Sequence, residues 1–509
     1  MGEHPARSLA VAGKEPGDVV IVGAGLAGLA AASVLAPRGL RITLLEARPR
    51  LGGRAGSFFE PSTGEWIDNC QHVGMGCCTN LADFCRRVGI ARFIRTDRVL
   101  YFLDEFGRIS RISAARLPAP FHYVPSLLRS CFLTLAEKIR VARGIWALMR
   151  TASAAGEMSF RDWLMAHGQT RRTCERFWAV ILTSALNETL DRIDYRYARK
   201  VMIEAFLSHP QSGTVEVPTV PLAAFYGAAL ERWLTRHQVT IRCNAAVGGL
   251  KLSGTRVAAC TTRHGDEIVA DHYLLAVPVH RVLELLPDDL VQGHETFTRL
   301  RQFESSPITS VHLWFDQPVM RLPHLVCVGR TVQWLFRRTP GTAANERRSA
   351  QTAASTVESP TSDSSAALDF TRSTGRSGDY VQAVISASGR LATLGHARIL
   401  ELVLGDVRES LPKSRSAKLL HYRVVTERFA TYSIVPGIDR LRPDQRTPIE
   451  NLWLAGDYTQ TGWPATMEGA VRSGYLAARA ILRSNGIECD PVRPTRPTGT
   501  LVRRFIARS

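Results

Sequence analysis

The chain has 509 residues, 45% of them hydrophobic, and a formal net charge of +18. That length implies two or more domains around a sizeable core. Only six of the 64 basic residues are lysine, and the arginines are spread along the whole chain. This argues against a nucleic-acid-binding module, which wants basic residues clustered with aromatics, and fits attraction to an anionic membrane surface or general solubility.

Residues 1–17 are polar, with Gly and Pro, and read as a loose tail. Val19 to Ala36 is an uncharged run of near membrane-spanning length. It contains a Gly-rich turn, so it reads instead as a buried strand at 18–22, a turn, and a buried helix ending near Gly39. The turn is Gly23-Ala24-Gly25-Leu26-Ala27-Gly28. Gly23 allows the tight turn, Gly25 lets a pyrophosphate approach the backbone, and Gly28 lets the helix pack on the strand. The helix N-terminus offers free N–H groups to the phosphates. Leu40 to Glu46 is the second strand, and Glu46 lies eighteen residues past Gly28. A carboxylate there accepts ribose hydroxyls and repels a 2′-phosphate, which disfavours NADP.

The stretch E-A-R-P-R-L-G-G-R from Glu46 and Ala47 to Gly53 and Arg54 resembles the second FAD fingerprint of the flavin amine oxidase and phytoene desaturase superfamily. That resemblance places Gly53 and Arg54 toward the flavin end. Cys70, Cys77, Cys78 and Cys85 match no zinc spacing, and the ten cysteines read as reduced thiols with no metal site expected.

Residues 80–221 read as largely helical. Residues 117–150 mix Phe121, Leu128 and Trp146 with Arg129, Lys138, Arg140 and Arg143. This is the stretch expected on a bilayer interface, or else an ordinary amphipathic helix with a solvated face. Pro221 to His237 reads as helix, 239–243 as strand, 246–270 as a small antiparallel meander, and 272–278 as a buried strand. Residues 332–338 and 379–388 read as paired strands, and the Ser/Thr/Arg-rich segment 339–378 between them as a disordered hairpin insertion that can be trimmed. Asn451 to Asp457 is the last strand, with a helix beginning near Met467. Residues 487–509 read as a basic tail, disordered or touching the membrane.

The fold class expected is α/β: a Rossmann-type FAD-binding domain of the glutathione-reductase-like, amine oxidase kind (18–79, 222–300, 445–486). An α+β substrate domain (80–221, 301–444) is interleaved with it.

Four separated stretches, 71–80, 182–201, 217–222 and 461–470, together resemble the squalene-associated FAD-dependent desaturases. These are the hydroxysqualene dehydroxylases of bacterial hopanoid synthesis. The resemblance implies FAD, with the backbone at Val247 meeting the adenine, Gly456 and Asp457 meeting the ribityl chain, and Met467 opening a helix toward the flavin pyrimidine. It implies a long isoprenoid substrate and the reaction hydroxysqualene plus reduced FAD to squalene, FAD and water. An unidentified reductant regenerates the flavin, and the location implied is the inner face of the bacterial cytoplasmic membrane.

Hydroxide leaves poorly, so the departing oxygen needs a proton. His72 ranks first as donor, then Glu188, with Glu468 third; Trp463 and Asn187 are the expected pocket residues. Three alternatives stay open: a carotenoid-type desaturase, a flavin amine or protoporphyrinogen oxidase, and a non-catalytic FAD-holding isoprenoid carrier.

Overall fold

The computed structural model describes residues 17–151, 157–337 and 379–506. Most of the expected tail (1–16) and hairpin insertion (338–378) lies outside the described residues.

Strands β1 (Asp18–Val22), β2 (Arg41–Leu45), β3 (Thr240–Arg242), β4 (His272–Leu275) and β5 (Leu452–Leu454) form one parallel sheet in the order β3-β2-β1-β4-β5. Alternation along the strands sorts their side chains onto two faces. Val19, Ile21, Ile42, Leu44 and Leu274 pack with helices Leu26–Leu35, Thr79–Arg87 and Met467–Ser484. Val20, Val22, Leu45, Tyr273 and Leu275 pack under the meander Val247–Ser253, Arg256–Thr262 and Glu267–Ile268. Burying a Val, Leu or Ile side chain contributes about 1.5–3 kcal/mol, so both faces hold the sheet strongly. The first helix is buried on every side, which explains its uniform apolarity without a membrane. No helix among the described residues is long and apolar enough to cross a membrane.

The second body is a seven-stranded sheet running Leu419–Tyr432, Ser305–Phe315, Asp379–Ile385, Trp334–Arg337, His324–Cys327, Leu100–Leu103 and Ile109–Ile112. The expected pairing of Trp334–Arg337 with Asp379–Ile385 is present and antiparallel. Helices between Val124 and Val201 complete this body.

The structure differs from the sequence reading at three places. Segment 80–221 opens not with substrate-domain helices but with helix Thr79–Arg87, whose Leu81, Phe84 and Cys85 join the dinucleotide-domain core. Three strands follow it, because Ile94–Asp97 pairs with Val215–Pro218 and 100–112 forms a hairpin on the large sheet. The tail from 487 to 506 is docked rather than loose. Arg493 exchanges bonds with Asn80 (2.8 and 3.1 Å) and pairs with Asp83 (2.8 Å); Arg496 donates to the Gly76 carbonyl at 2.6 Å. Helix Thr500–Phe505 then buries Val502 and sets Phe505 against Trp146 at 5.3 Å. The arginines that suggest disorder by composition are those that anchor it. Truncation after Gly486 is therefore expected to lower Tm by several degrees in a thermal melt, whereas a disordered tail would leave it unchanged.

Candidate flavin and substrate site

The turn after β1 is built for close approach. Gly23 has φ +104° and donates to the Leu45 carbonyl at 2.7 Å. A Cβ there would stand 2.6 Å from the Ala276 carbonyl oxygen, and one on Gly28 would stand 2.0 Å from the Gly23 oxygen. At Gly25 a Cβ would meet nothing within 4 Å, so the space above this residue is open. Gly25 is also the N-cap of the helix beginning Leu26-Ala27-Gly28, with no side-chain cap and no acid in the first turn. An open cradle over uncapped N–H groups suits a pyrophosphate.

Glu46 is buried at the end of β2. Its carboxylate accepts N–H bonds from Ala24 (2.8 Å) and Arg48 (2.9 Å), while Ala47 between them is exposed. Ala245 donates to the Glu46 carbonyl at 2.9 Å, which brings the start of the Val247 strand beside the acid. The acid, Ala47 and Val247 thus gather at one end of the cradle. Replacing Glu46 by Ala is expected to weaken FAD binding about 10-fold or more, read by titrating apoprotein with FAD.

At the other end, Gly52 donates to the Ala24 carbonyl at 2.9 Å, and a Cβ on Gly53 would lie 3.0 Å from the Gly25 Cα. Arg54 donates to Asp457 Oδ1 at 2.9 Å and to the Ala430 carbonyl at 2.7 Å. The first and last parts of the chain therefore meet through one charged bond. Gly456 tolerates no side chain, because a Cβ would stand 2.3 Å from the Tyr458 ring. Met467 opens its helix behind Thr466, whose hydroxyl accepts from the Gly469 N–H at 3.1 Å.

Sequence reasoning missed Arg442. Its side chain is fully buried and donates to the carbonyls of Asp457 (3.1 Å) and Thr459 (3.0 Å), to Thr461 Oγ1 (2.9 Å) and to Tyr197 Oη. Tyr197 donates in turn to Asp439. This one guanidinium shapes the loop from Asp457 to Thr461 and ties it to the substrate-domain helix Tyr195–Val201. In sequence it is one arginine among many, with nothing local to mark it.

Each expected proton donor is engaged by protein groups. His72 Nδ1 lies 2.9 Å from the Cys70 carbonyl, and burial, with Arg54 nearby, pushes its pKa below the usual histidine value. That disfavours the protonated form a proton donor needs. Glu188 accepts from the Thr189 N–H at 3.0 Å and pairs at 3.4 Å with the half-exposed Arg192. Glu468 is fully buried, and it caps another helix: its oxygens accept from the N–H of Asn80 (3.1 Å) and Leu81 (2.8 Å) and from the Asn80 amide (2.7 Å). It is a structural acid rather than a donor.

Asn187, expected in the pocket, is also committed to protein. Its amide donates to Ser306 O and Thr431 Oγ1, both at 2.9 Å, and accepts from the Ala387 N–H at 2.7 Å, so both its donors are committed to protein. Trp463 packs with Cys77, Ala205, Met75 and Phe206, and Lys200 Nζ lies 4.8 Å from its ring centre. The tryptophan therefore sits where the flavin loop meets the substrate domain.

The family model for flavin-containing amine oxidoreductases matches residues 26–482. Among curated proteins the chain is similar to a 15-cis-phytoene desaturase of an Oncidium hybrid cultivar, with 28% identity over 92% of this chain and 78% of that one. It is also similar to a probable zeta-carotene desaturase of Synechococcus elongatus, with 26% identity over 92% and 99%. Among solved structures it resembles an oxidoreductase from Methanosarcina mazei (TM-score 0.66, 16% identity, 92% and 100% covered). A second is a putative protoporphyrinogen oxidase from Exiguobacterium sp. 255-15 (TM-score 0.62, 18% identity, 93% and 100% covered). These structures bear on the fold alone, and the fold agrees with the cradle: an open pyrophosphate turn, a ribose acid and a closing Arg54–Asp457 pair fit FAD. With the match spanning nearly the whole chain, this protein belongs to the flavin-containing amine oxidoreductase family and is an FAD-dependent oxidoreductase.

Proposed function

We propose that this oxidoreductase removes the allylic hydroxyl of hydroxysqualene reductively, giving squalene and water. When bound in reduced form, FAD supplies the hydride. The observation that favours this reading is the Lys200–Glu204 ion pair beside Trp463. A hydrocarbon substrate gives a charged pair nothing to act on, whereas a departing hydroxyl needs one. The stretch 182–201, which resembles that of the dehydroxylases, carries Lys200 over Trp463 in the loop after Asp457, and Tyr197 against Arg442, which holds that loop. Purified enzyme reduced with dithionite under anaerobic conditions should convert hydroxysqualene to squalene, identified by mass spectrometry; absence of squalene would contradict the reading.

A carotenoid-type desaturase is the second reading. It is favoured by the names of the relatives, whose similarity extends over almost the full chain.

The substrate is an oil, and the protein carries a surface suited to one. Leu117, Phe121, Val124, Leu128, Leu135, Ile139 and Trp146 are all exposed on or near helices Val124–Arg129 and Leu135–Arg150. Lys138, Arg140, Arg143 and Arg150 lie among them. Apolar side chains ringed by cations suit the headgroup region of an anionic membrane. We place the protein peripherally on the inner face of the bacterial cytoplasmic membrane on this basis. Leu128→Ser/Leu135→Ser is expected to reduce co-sedimentation with phosphatidylglycerol vesicles at least 10-fold while leaving FAD content unchanged, since each exposed leucine contributes roughly 1.5–3 kcal/mol on burial.

A further inference from the structure

We propose that Lys200, held by Glu204, is the proton donor of the site; this deepens the dehydroxylase reading and rests on it. Helix Tyr195–Val201 continues into the π-turn Met202–Leu207, and Tyr197, Lys200 and Glu204 follow one another along one face. That face looks at the flavin loop. Tyr197 is bound by Arg442, which holds the carbonyls of Asp457 and Thr459, and Lys200 lies over Trp463 in the same loop. π-Turns interrupt regular helix bonding and recur at functional sites.

Glu204 pairs with Lys200 Nζ through Oε1. Its Oε2 is buried and has no hydrogen-bond partner among the described residues. A buried carboxylate oxygen without a partner calls for a donor that the protein itself does not supply, and a substrate hydroxyl or a water is such a donor. Around the pair the packing is apolar, with Trp463, Ala205, Cys77, Met75 and Phe206 forming one cluster.

The step balances. The allylic C–O bond breaks, and its electron pair leaves with oxygen, which takes the proton of Lys200 Nζ and departs as water. Positive charge moves from nitrogen to the allylic carbon instead of being doubled, with the Trp463 face and the Glu204 carboxylate beside it. Hydride from reduced FAD fills the carbon. Bound reduced FAD would supply the two electrons that the carbon gains, and Lys200 recovers its proton from solvent through Glu204.

Holoenzymes of wild type, Lys200→Met, Lys200→Arg and Glu204→Gln, reduced anaerobically, are mixed with hydroxysqualene, and flavin reoxidation is followed in a single turnover. Lys200→Met is expected to slow it at least 100-fold, roughly the contribution of a general acid. Lys200→Arg keeps the charge and the ion pair but does not release a proton, so it should be as slow, and it keeps the inference testable if the methionine variant folds poorly. Glu204→Gln is expected to cost about 10-fold.

The decisive control is the acetate ester of hydroxysqualene, whose leaving group departs without a proton. On the ester the lysine variants should match wild type. Equal losses on alcohol and ester, or wild-type rates on the alcohol, would overturn the inference alone. A wild-type enzyme inert toward both would overturn the dehydroxylase reading, and this inference with it.

Discussion

Arg442→Met yields a protein that purifies with little FAD. The substitution removes the fully buried cation that donates to Asp457 O, Thr459 O, Thr461 Oγ1 and Tyr197 Oη, while the Asp439 carboxylate, 3.4 Å away, keeps Tyr197 and Arg196. A buried acceptor left without its donor costs about 1–3 kcal/mol, because it stays desolvated, and Arg442 serves several. The loss falls on the loop that positions Asp457, and Asp457 is the partner of Arg54. FAD retention should therefore fall together with thermal stability. Arg442→Lys does not restore it, since one ammonium cannot reach carbonyls, a threonine hydroxyl and a phenol arranged for a planar fork. FAD content per chain after purification, with Tm, reads the effect; stoichiometric FAD at an unchanged Tm would contradict the assigned role.

The second large effect is at Glu468. Glu468→Ala leaves the N–H groups of Asn80 and Leu81 without their acceptor in the interior, and leaves the Asn80 amide only its bond to the Arg493 carbonyl. At about 1–3 kcal/mol for each unsatisfied buried donor, the total is expected to be several kcal/mol, enough to loosen helix Thr79–Arg87 from the dinucleotide domain. Glu468→Gln retains one acceptor and should lie between wild type and Ala. Burial raises the Glu468 pKa despite these bonds. A folded value above the unfolded one means that its linked stability is greatest below the unfolded pKa, about 4.3, and declines as pH rises through the folded value. That decline should vanish in Glu468→Gln. Chemical denaturation of the three proteins across pH reads both effects, and a wild-type midpoint for Glu468→Ala would return Glu468 to the list of possible donors.

The dinucleotide half was legible because its demands are local. A turn that needs Gly23, Gly25 and Gly28 at fixed spacing, and an acid at the end of the next strand, announce themselves in sequence order. β-Branched runs bounded by such turns likewise mark buried parallel strands. What was not legible depends on meetings across the chain. Arg442 acts on residues 15 to 19 positions later and on Tyr197, 245 positions earlier, with no pattern around it. Glu468 ranked third among the expected donors, yet it caps a helix 388 residues away. Asn187 looked like a polar pocket residue, but its left-handed backbone ends a helix while its amide ties together strands of the large sheet. The tail after 486 was misread because composition predicts disorder, while bonds from Arg493 and Arg496 determine that it docks. Lys200 was passed over as one of few lysines, and its packing over Trp463 gives it meaning.

The central claim concerns the direction in which electrons move between flavin and isoprenoid. Anaerobic stopped-flow spectra of the FAD holoenzyme test it most directly, with reduced enzyme mixed with hydroxysqualene and oxidised enzyme mixed with phytoene. Return of the oxidised flavin spectrum with hydroxysqualene, and an unchanged spectrum with phytoene, is the expected result. Bleaching by phytoene, with reduced enzyme indifferent to hydroxysqualene, would contradict it and make the protein a desaturase.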